Sequence, residues 1–387
     1  MSALDPRPEH KFAFGLGTMG HTGRDPFGSS VRRPIEPYEF IYQLSDLGAW
    51  GVSFHDDDLM PTGATAAERH KTLDRFAKAL AATGIVASMA TTNLFRNPAF
   101  KDGAFTSSDI DVRRFAIQKT MRAIDLGVEM GTGIHVVWGG REGGNSAAAK
   151  PPIDALDRYR EAINFLCGYV MDQGYELRFA LEPQPNDPRG GAFLPTVGHA
   201  LAFIETLDHP EMVGVNPDVA HETMAGLGLY HAVAQAIWSG KLFHIDLSSQ
   251  RIGRHDHDLR FDSEGIRDAF FLIKLLEESR YDGPRHFHAS PIGVEDAAGI
   301  WDFAAGCMRT YLALAQKARR FADDYEIQDA LKEAGVDDLK ELTVGSYSSA
   351  RAGELMTTTF DPDTLASSGY RNERLDQLVV DLILGLR

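Results

Sequence analysis

The chain of 387 residues is 43% hydrophobic and 24% charged, which fits a globular protein with a large core and argues against wholesale disorder. Its formal net charge of -16 argues against a nucleic-acid partner, whose phosphates need a basic surface, and fits carboxylates reserved for cations. The sequence shows neither a signal-peptide pattern nor an apolar run long enough to span a bilayer, so it predicts a cytoplasmic location and no membrane partner.

Eight short β-rich runs bounded by turn residues follow one another along the chain. They are FAFGLG at Phe12, GVSFHD at Gly51, IVASMATTN at Ile85, GIHVVWGG at Gly133, LRFALEPQ at Leu177, VGVNPD at Val213, LFHIDL at Leu242 and PRHFHAS at Pro284. Segments with apolar residues at helical spacing, such as AAERHKTLDRFAKALAATG, lie between them. This unbroken alternation predicts an α/β fold, a parallel sheet closed as a (β/α)8 TIM barrel over residues 1–320.

The strand pattern stops near Phe321. Residues 321–387 have the pattern of helix and loop with too few apolar residues for a core of their own. They are predicted to form an extended arm that packs on a neighbouring subunit; an arm folded back on its own barrel is the alternative. Cys167 and Cys307 lie in apolar, helix-like stretches and are predicted to be buried thiols.

Acidic and histidine side chains collect at the predicted carboxyl ends of the strands, where barrel enzymes carry their active sites. They are His55 with Asp56, Asp57 and Asp58; Glu182; Asp218 and His221; Asp246; Asp256 and Asp258; and His288. So many like charges in one small volume are unfavourable unless cations neutralise them. A carboxylate-rich set with few histidines favours Mg²⁺, Mn²⁺ or Co²⁺ over a structural zinc, and it is large enough for two ions that share one carboxylate.

Taken singly, some of these patterns are also typical of ordinary structure. Asp218 and His221 have the spacing of a helix N-cap and a nearby histidine, and residues 256–258 also fit an acidic surface loop. Glu182 and Asp246 each end a strongly apolar strand, where a charge favours a functional role.

His55 stands at a strand end, where Asp58 could hold it in one tautomer and make it a better base; a surface turn is the alternative. The rings of Trp138, Phe95 and Phe27 are either core aromatics or pocket walls that exclude water.

Motifs along nearly the whole chain accompany these residues. They are GRDPFG at Gly23, FHDDDL at Phe54, MATTNLF at Met89, FKDG at Phe100, DVRR at Asp111, WGGREG at Trp138, LPTVGHALAFIE at Leu194, MAGL at Met224, GKLFHIDL at Gly240, DLRF at Asp258, AAGCMR at Ala304 and ERLDQL at Glu373. In this order they resemble the bacterial xylose isomerases, also called glucose isomerases, of the actinobacterial type.

The resemblance implies a homotetramer of barrels in which the C-terminal arm embraces a neighbour, a sugar substrate, and two divalent metal ions per subunit. It implies four ligands for a structural metal, Glu182, Asp218, Asp246 and His288. It implies four ligands for a catalytic metal, with Asp218 bridging: Asp218, His221, Asp256 and Asp258. His55, oriented by Asp58, would assist ring opening before hydride moves from C2 to C1. The substrate pocket would consist of Trp138, Phe95, Thr91, Gln184 and, from a neighbouring subunit, Phe27.

Six positions differ from the family pattern. Gln184 replaces a lysine, Asp218 a glutamate, His288 an aspartate, Gly17 a tryptophan, Ser248 an asparagine and Ser290 a lysine. Because the exchanges at His288 and Gln184 leave the net charge of the site unchanged, we hypothesise that they compensate one another and that the imidazole shifts the metal preference from Mg²⁺ towards Mn²⁺ or Co²⁺. Loss of the lysine contact is expected to lower activity, and Gly17 to widen the pocket.

The function expected from the resemblance is a metal-dependent isomerisation of D-xylose to D-xylulose, or of D-glucose to D-fructose. The alternatives are a divergent enzyme that acts weakly or on another sugar, including an epimerase-like one, and a non-catalytic sugar-binding relative. A nuclease on the same barrel is disfavoured by the acidic charge.

Overall fold

The structure is a computed structural model that describes residues 3–25, 27–60, 63–186 and 188–387. Pro26 of the GRDPFG motif lies outside these ranges. The chain divides into two compact units, the first ending at Ala313 and the second spanning Leu314–Arg387. Within the described ranges, no helix has the length and apolar character of a bilayer-spanning segment.

Eight parallel strands form the sheet of the first unit. They are β1 (Phe12–Gly15), β2 (Gly51–His55), β3 (Val86–Thr91), β4 (Ile134–Trp138), β5 (Arg178–Glu182), β6 (Val213–Val215), β7 (Asp246–Leu247) and β8 (Arg285–Phe287). Their spatial order is β6-β5-β4-β3-β2-β1-β8-β7, and parallel bridges from Val215 to Leu242 and from Asp218 to Asp246 join the two ends. The sheet is therefore closed, and the prediction of a (β/α)8 barrel is confirmed.

The described ranges contain fifteen α-helices. They are α1 (Leu16–Met19), α2 (Pro37–Asp46), α3 (Asp56–Leu59), α4 (Ala66–Thr83), α5 (Ile110–Glu129), α6 (Pro152–Asp172), α7 (Val197–Ile204), α8 (Val219–Met224), α9 (Leu229–Trp238), α10 (Ile266–Glu278), α11 (Ala297–Asp323), α12 (Tyr325–Glu333), α13 (Ser349–Thr357), α14 (Pro362–Ala366) and α15 (Asn372–Leu384). Four single-turn 3-10 helices are also described: Pro8–His10, Pro98–Phe100, Pro210–Met212 and Asp337–Lys340.

Local sequence signals set the helix ends, as α4 illustrates. Thr65 accepts a hydrogen bond from the backbone N–H of Glu68, and the Glu68 carboxylate accepts one from the Thr65 N–H, which satisfies donors that the first turn leaves free. The helix ends at Gly84, whose φ of 77° suits glycine.

The core lies between the sheet and the surrounding helices. Phe179 on β5, Val213 on β6 and Ile163 of α6 belong to one large buried cluster, while Met89, Val136 and Ala180 form a small cluster inside the barrel. Cys167 and Cys307 are buried free thiols, as predicted. This frame fixes the carboxyl ends of the strands, so the side chains that follow them meet at one end of the barrel.

Candidate metal centre

A cavity of about 240 Å³ opens at the carboxyl ends of the strands. Ten of the predicted site residues line it: His55, Thr91, Phe95, Trp138, Glu182, His221, Asp246, Asp256, Asp258 and His288. Asp218 and Gln184 are buried outside this lining. Phe27 is 99% exposed and therefore does not wall the cavity of its own chain.

The four residues predicted around the structural metal lie together. Glu182, Asp218, Asp246 and His288 each offer one ligand atom, and these atoms all lie within 4.8 Å of one another. His288 Nδ1 is 3.2 Å from Asp246 Oδ2 and 3.5 Å from Asp218 Oδ2. Asp218 Oδ2 is buried without a hydrogen-bond partner among the described residues. An unpartnered buried carboxylate oxygen is costly, so the set fits a cation at this point.

The remaining predicted ligands lie beside this cluster. The Nδ1 of His221 is 2.8 Å from the carbonyl oxygen of Pro183, which only accepts, so Nδ1 carries a proton and donates it. The Nε2 of the same ring faces Asp256 Oδ2 at 3.2 Å, and the buried Asp258 Oδ1 has no hydrogen-bond partner in the described part of the chain. If the His221 ring were neutral, its unprotonated Nε2 and the Asp256 Oδ2 would be two acceptors facing each other. A cation bound between them, or a second proton on the ring, removes this repulsion.

Burial and mutual repulsion move the pKa values of these groups. Burial and the charge of Asp246 raise the pKa of Glu182 to about 8, while burial and Asp256 raise that of Asp258 to about 7. Burial lowers the pKa of His221, but Asp218 and Asp256 outweigh it and raise the value to about 10. Protons thus neutralise the charges of the metal-free site. Cations that compete with those protons would do the same.

Four further polar residues hold the ligand candidates in place. Asn216 Nδ2 donates to Glu182 Oε2 at 3.1 Å and to Asp246 Oδ2 at 2.8 Å. His286 Nδ1 donates to Asp246 Oδ1, and its Nε2 is 2.7 Å from Ser53 Oγ. His244 Nδ1 is 2.9 Å from Asn216 Oδ1.

These contacts decide the role of a second buried group, His244, Asp246 and His286, whose ligand atoms also lie within 4.8 Å of one another. Both Nδ1 atoms face acceptor oxygens, so both carry protons and donate them. The two histidines therefore orient the Asp246 carboxylate and are not ligands of a further ion. Sequence reasoning missed His286 and Asn216. The HFH run was the available signal, since residues two apart share a face of a strand.

His55 and Asp58 form the predicted pair at the end of β2. The Asp58 Oδ2 accepts hydrogen bonds from the His55 backbone N–H at 2.8 Å and from Nδ1 at 3.3 Å. Burial would raise the pKa of Asp58, but the hydrogen bonds and charge of His55 outweigh it and lower the pKa, so this carboxylate stays ionised. Asp58 thereby fixes the proton on Nδ1 and leaves Nε2 as the basic atom.

Aromatic rings form one wall of the cavity next to His55. The ring of Phe95 lies edge-on to that of His55 at 5.7 Å and to that of Trp138 at 4.7 Å. Arg141 Nε donates to the Phe95 carbonyl at 2.8 Å and fixes this loop. The wall excludes water from one side of the cavity, which strengthens electrostatic interactions inside.

Comparison with known proteins agrees with this architecture. Residues 41–310 match the family described as xylose isomerase-like TIM barrel. The chain is 51% identical over 384 residues to the xylose isomerase of Thermus thermophilus and 49% identical to that of Thermus caldophilus, covering 99% of both chains in each case.

Solved structures with low sequence identity share the fold. A putative xylose isomerase from Rhodospirillum rubrum superposes with a TM-score of 0.60 at 18% identity, covering 79% of this chain and 98% of that one. An L-ribulose 3-epimerase superposes with a TM-score of 0.59 at 16% identity, covering 81% and 96%. The same fold therefore occurs in proteins named as isomerases and as epimerases. The function of this chain must be inferred from the residues of the cavity and not from the fold.

Proposed function

Because this chain belongs to the xylose isomerase-like TIM-barrel family, we propose that it is a metal-dependent sugar isomerase that interconverts an aldose and its ketose. D-xylose with D-xylulose is the reference pair, and D-glucose with D-fructose the second. The observation that carries the proposal is the meeting of the acidic cluster, His55–Asp58 and the aromatic wall in one cavity. In the same proposal the protein is cytoplasmic and of the actinobacterial type.

The residues around the cavity would have separate roles in catalysis. His55 Nε2, kept basic by the Asp58 contact to Nδ1, would take the proton of the anomeric hydroxyl of the sugar and pass it to the ring oxygen as the bond between this oxygen and C1 breaks. Trp138 and Phe95 would keep water from the opened chain.

Two groups of residues would hold divalent cations: Glu182, Asp218, Asp246 and His288; and Asp218, His221, Asp256 and Asp258. Bound Mg²⁺, Mn²⁺ or Co²⁺ would supply Lewis-acid stabilisation of the negative charge on the substrate oxygens of C1 and C2 while hydride moves from C2 to C1. Asn216 and His286 would keep the carboxylates of Glu182 and Asp246 oriented for this task.

An epimerase-like reaction is the second candidate. The amide of Gln184 stands where the resemblance expects a lysine, and its Oε1 is buried without a hydrogen-bond partner among the described residues. An enzyme without that lysine lacks a charge-assisted contact to the carbonyl side of the substrate, which weakens isomerisation more than sugar binding.

Incubation of the purified protein with aldoses, ketoses and one divalent cation at a time tests the proposal. We expect conversion of D-xylose to D-xylulose, detected by NMR, with Mn²⁺ or Co²⁺ more effective than Mg²⁺ because an imidazole replaces one carboxylate. Inversion at one carbon without ketose formation would support the epimerase, and absence of conversion with every sugar and metal would contradict both. A clear preference for Mg²⁺ would refute the assigned role of His288.

Gln184→Lys and His288→Asp are expected to be coupled. Each change alone alters the net charge of the site by one unit, whereas the double variant restores it. We expect the single variants to lose activity or gain little, and the double variant to exceed the product of their effects, with a gain of roughly ten- to a hundredfold in kcat/KM. Steady-state kinetics on the four proteins of this cycle measure the coupling. Simple multiplicativity of the two effects would contradict it.

We also propose that residues 321–387 are an arm that packs on a neighbouring copy in a homotetramer, and that Phe27 reaches the cavity of a neighbour. Apolar side chains between residues 339 and 370 are at least half exposed: Leu339, Leu342, Val344, Tyr347, Leu355, Met356, Phe360, Leu365 and Tyr370. A stretch of this kind is costly in water and fits a protein interface.

Truncation after Val336 is expected to lower the oligomeric state. It removes all nine exposed apolar side chains, and light scattering coupled to gel filtration should then give a smaller particle than the full chain. Replacing Leu342, Tyr347 and Phe360 by serine in the full chain is the matched control for loss of chain length, and we expect the same shift. A particle of unchanged size in both variants would contradict the role of the arm.

A further inference from the structure

Besides the cavity at the metal centre, the first unit has an outer groove of about 940 Å³. The inner cavity of about 240 Å³ is smaller than the roughly 300–1,000 Å³ that ligand sites usually offer, while the groove lies near the top of that range. The two spaces share four lining residues: Leu16, Gly17, His21 and Arg96. Cavity and groove therefore adjoin along residues 16–21 and at Arg96.

Gly17 lies at the boundary between the cavity and the groove. It is the only one of the four shared residues without a side chain, and a Cβ added there would meet His55 Nδ1 at 3.2 Å and Asp58 Oδ2 at 3.5 Å. Any larger side chain would therefore occupy the passage beside His55. Gly17 therefore lies where the two spaces meet, with no side chain of its own between them.

A buried arginine fixes the loop that carries His21, one of the residues that line the groove. The guanidinium of Arg32, which is 8% exposed, donates to the carbonyl oxygens of His21 at 2.6 Å, Ile292 at 2.9 Å and Glu295 at 3.0 Å. It thereby joins the loop after β1 to the loop after β8. A groove held in this way is pre-formed, which reduces the entropy lost when a ligand binds.

The charges around the groove favour a neutral, hydroxyl-rich occupant. Arg24 and Arg96 contribute two positive charges, and Glu36, Glu68 and Asp58 contribute three carboxylates. A phosphate would meet a net negative surface, whereas sugar hydroxyls can donate to the carboxylates and accept from the guanidiniums.

On these grounds, and building on the proposed function, we infer that the substrate class of this site is a 4-O-linked neutral disaccharide whose reducing unit is isomerised. The reducing unit would lie in the inner cavity with its ring oxygen near His55. The ring oxygen is bonded to C5, and C4 follows, so a substituent on O4 leaves the cavity next to His55, where Gly17 leaves the wall open. The second sugar unit then lies in the outer groove. Isomerisation moves two hydrogens within the substrate and needs no co-reactant.

Xylobiose and cellobiose, compared with D-xylose and D-glucose, test this assignment in the Mn²⁺-loaded protein. We expect kcat/KM for each disaccharide to equal or exceed that for its monosaccharide, with a ketose at the reducing end seen by NMR. Gly17→Trp should lower the ratio of disaccharide to monosaccharide kcat/KM by roughly 10- to 200-fold, because the ring closes the passage. The same ring should lower the KM for D-xylose by filling the gap.

Thr72→Trp provides a second variant that adds no atoms next to His55. Thr72 lines the outer groove and not the inner cavity, so a tryptophan there should lower the same ratio. Lys71→Trp, on the exposed side of the same helix, is the matched control and should leave the ratio unchanged. Conversion of the monosaccharides without the disaccharides, or equal ratios in all variants, overturns the inference and leaves the isomerase intact. Failure with all four sugars overturns the proposed function as well.

Discussion

Glu182→Gln is expected to abolish cation binding and activity and, at the same time, to stabilise the metal-free protein. The amide keeps the shape of the carboxylate and can still accept from Asn216, but it removes one negative charge from a cluster that has too many. Loss of a ligand charge should lower cation affinity and reduce kcat by about 10³-fold or more. Because burial and Asp246 raise the pKa of Glu182 to about 8, its ionised form is unfavourable in the metal-free protein. At pH 8 or above the variant should gain about 1 kcal/mol or more in free energy of unfolding.

The opposite signs of these two effects separate the assigned role from simple damage to the fold. Calorimetric titration with Mn²⁺ measures affinity, and urea denaturation in EDTA measures stability. Glu161→Gln is the control, since this side chain is exposed and forms an ion pair with Arg158 across one helical turn. It should change neither quantity. A Glu182→Gln protein that binds Mn²⁺ as tightly as the parent would remove Glu182 from the ligand set.

The barrel was predictable because its strands are short apolar runs separated by helices with clear ends. The run LFHIDL marks the limit of this reasoning. Six residues were assigned to a strand, whereas β7 contains only Asp246 and Leu247. The preceding residues approach β6 so closely that a Cβ at Gly214 would lie 2.4 Å from the Phe243 ring, and only single bridges form. Such close approach depends on the neighbouring strand, which no local pattern reveals.

The ligand candidates were predictable because a charge at the end of a strongly apolar strand is costly to bury unless a cation or a partner compensates it. The residues that hold these ligand candidates in place were not predictable. Ser53 and His286 appear in the sequence as ordinary strand residues, and their contact depends on the pairing of β2, β1 and β8. The groove at Gly17 was foreseen only as a wider pocket, since its second wall comes from α2 and α4.

In the absence of metal, the free energy of unfolding is expected to fall as the pH rises from 6 to 8. The pKa values of Glu182, Asp258 and Asp218 are raised to about 8, 7 and 6, mainly by burial, and neighbouring carboxylates raise that of His221 to about 10 in spite of burial. Each group has a lower pKa in the unfolded chain, so between the two values the folded state holds a proton that the unfolded state has released. The stability that these protons contribute is fully present below the pKa of the unfolded chain. It is lost as the pH rises through the pKa of the folded protein.

Groups with lowered pKa values offset only part of this fall. Burial lowers the pKa values of His135 and His286 to about 3 and 4, so near pH 6 the unfolded chain binds protons there that the folded state does not, and this contribution ends as the pH passes the ordinary histidine value. Asp58, Asp246 and Asp256 have pKa values below their ordinary range, so they are ionised in both states throughout the window from pH 6 to 8. With about one proton more in the folded state, the slope should be roughly -1.4 kcal/mol per pH unit in EDTA. Saturating Mn²⁺ competes with the same protons and binds more tightly as they leave, so the slope should vanish or change sign. Urea denaturation at pH 6, 7 and 8 under both conditions measures this, and Glu182→Gln should flatten the EDTA slope. A metal-free protein whose stability rises across this window would show that the cluster is neutralised by something other than protons and cations.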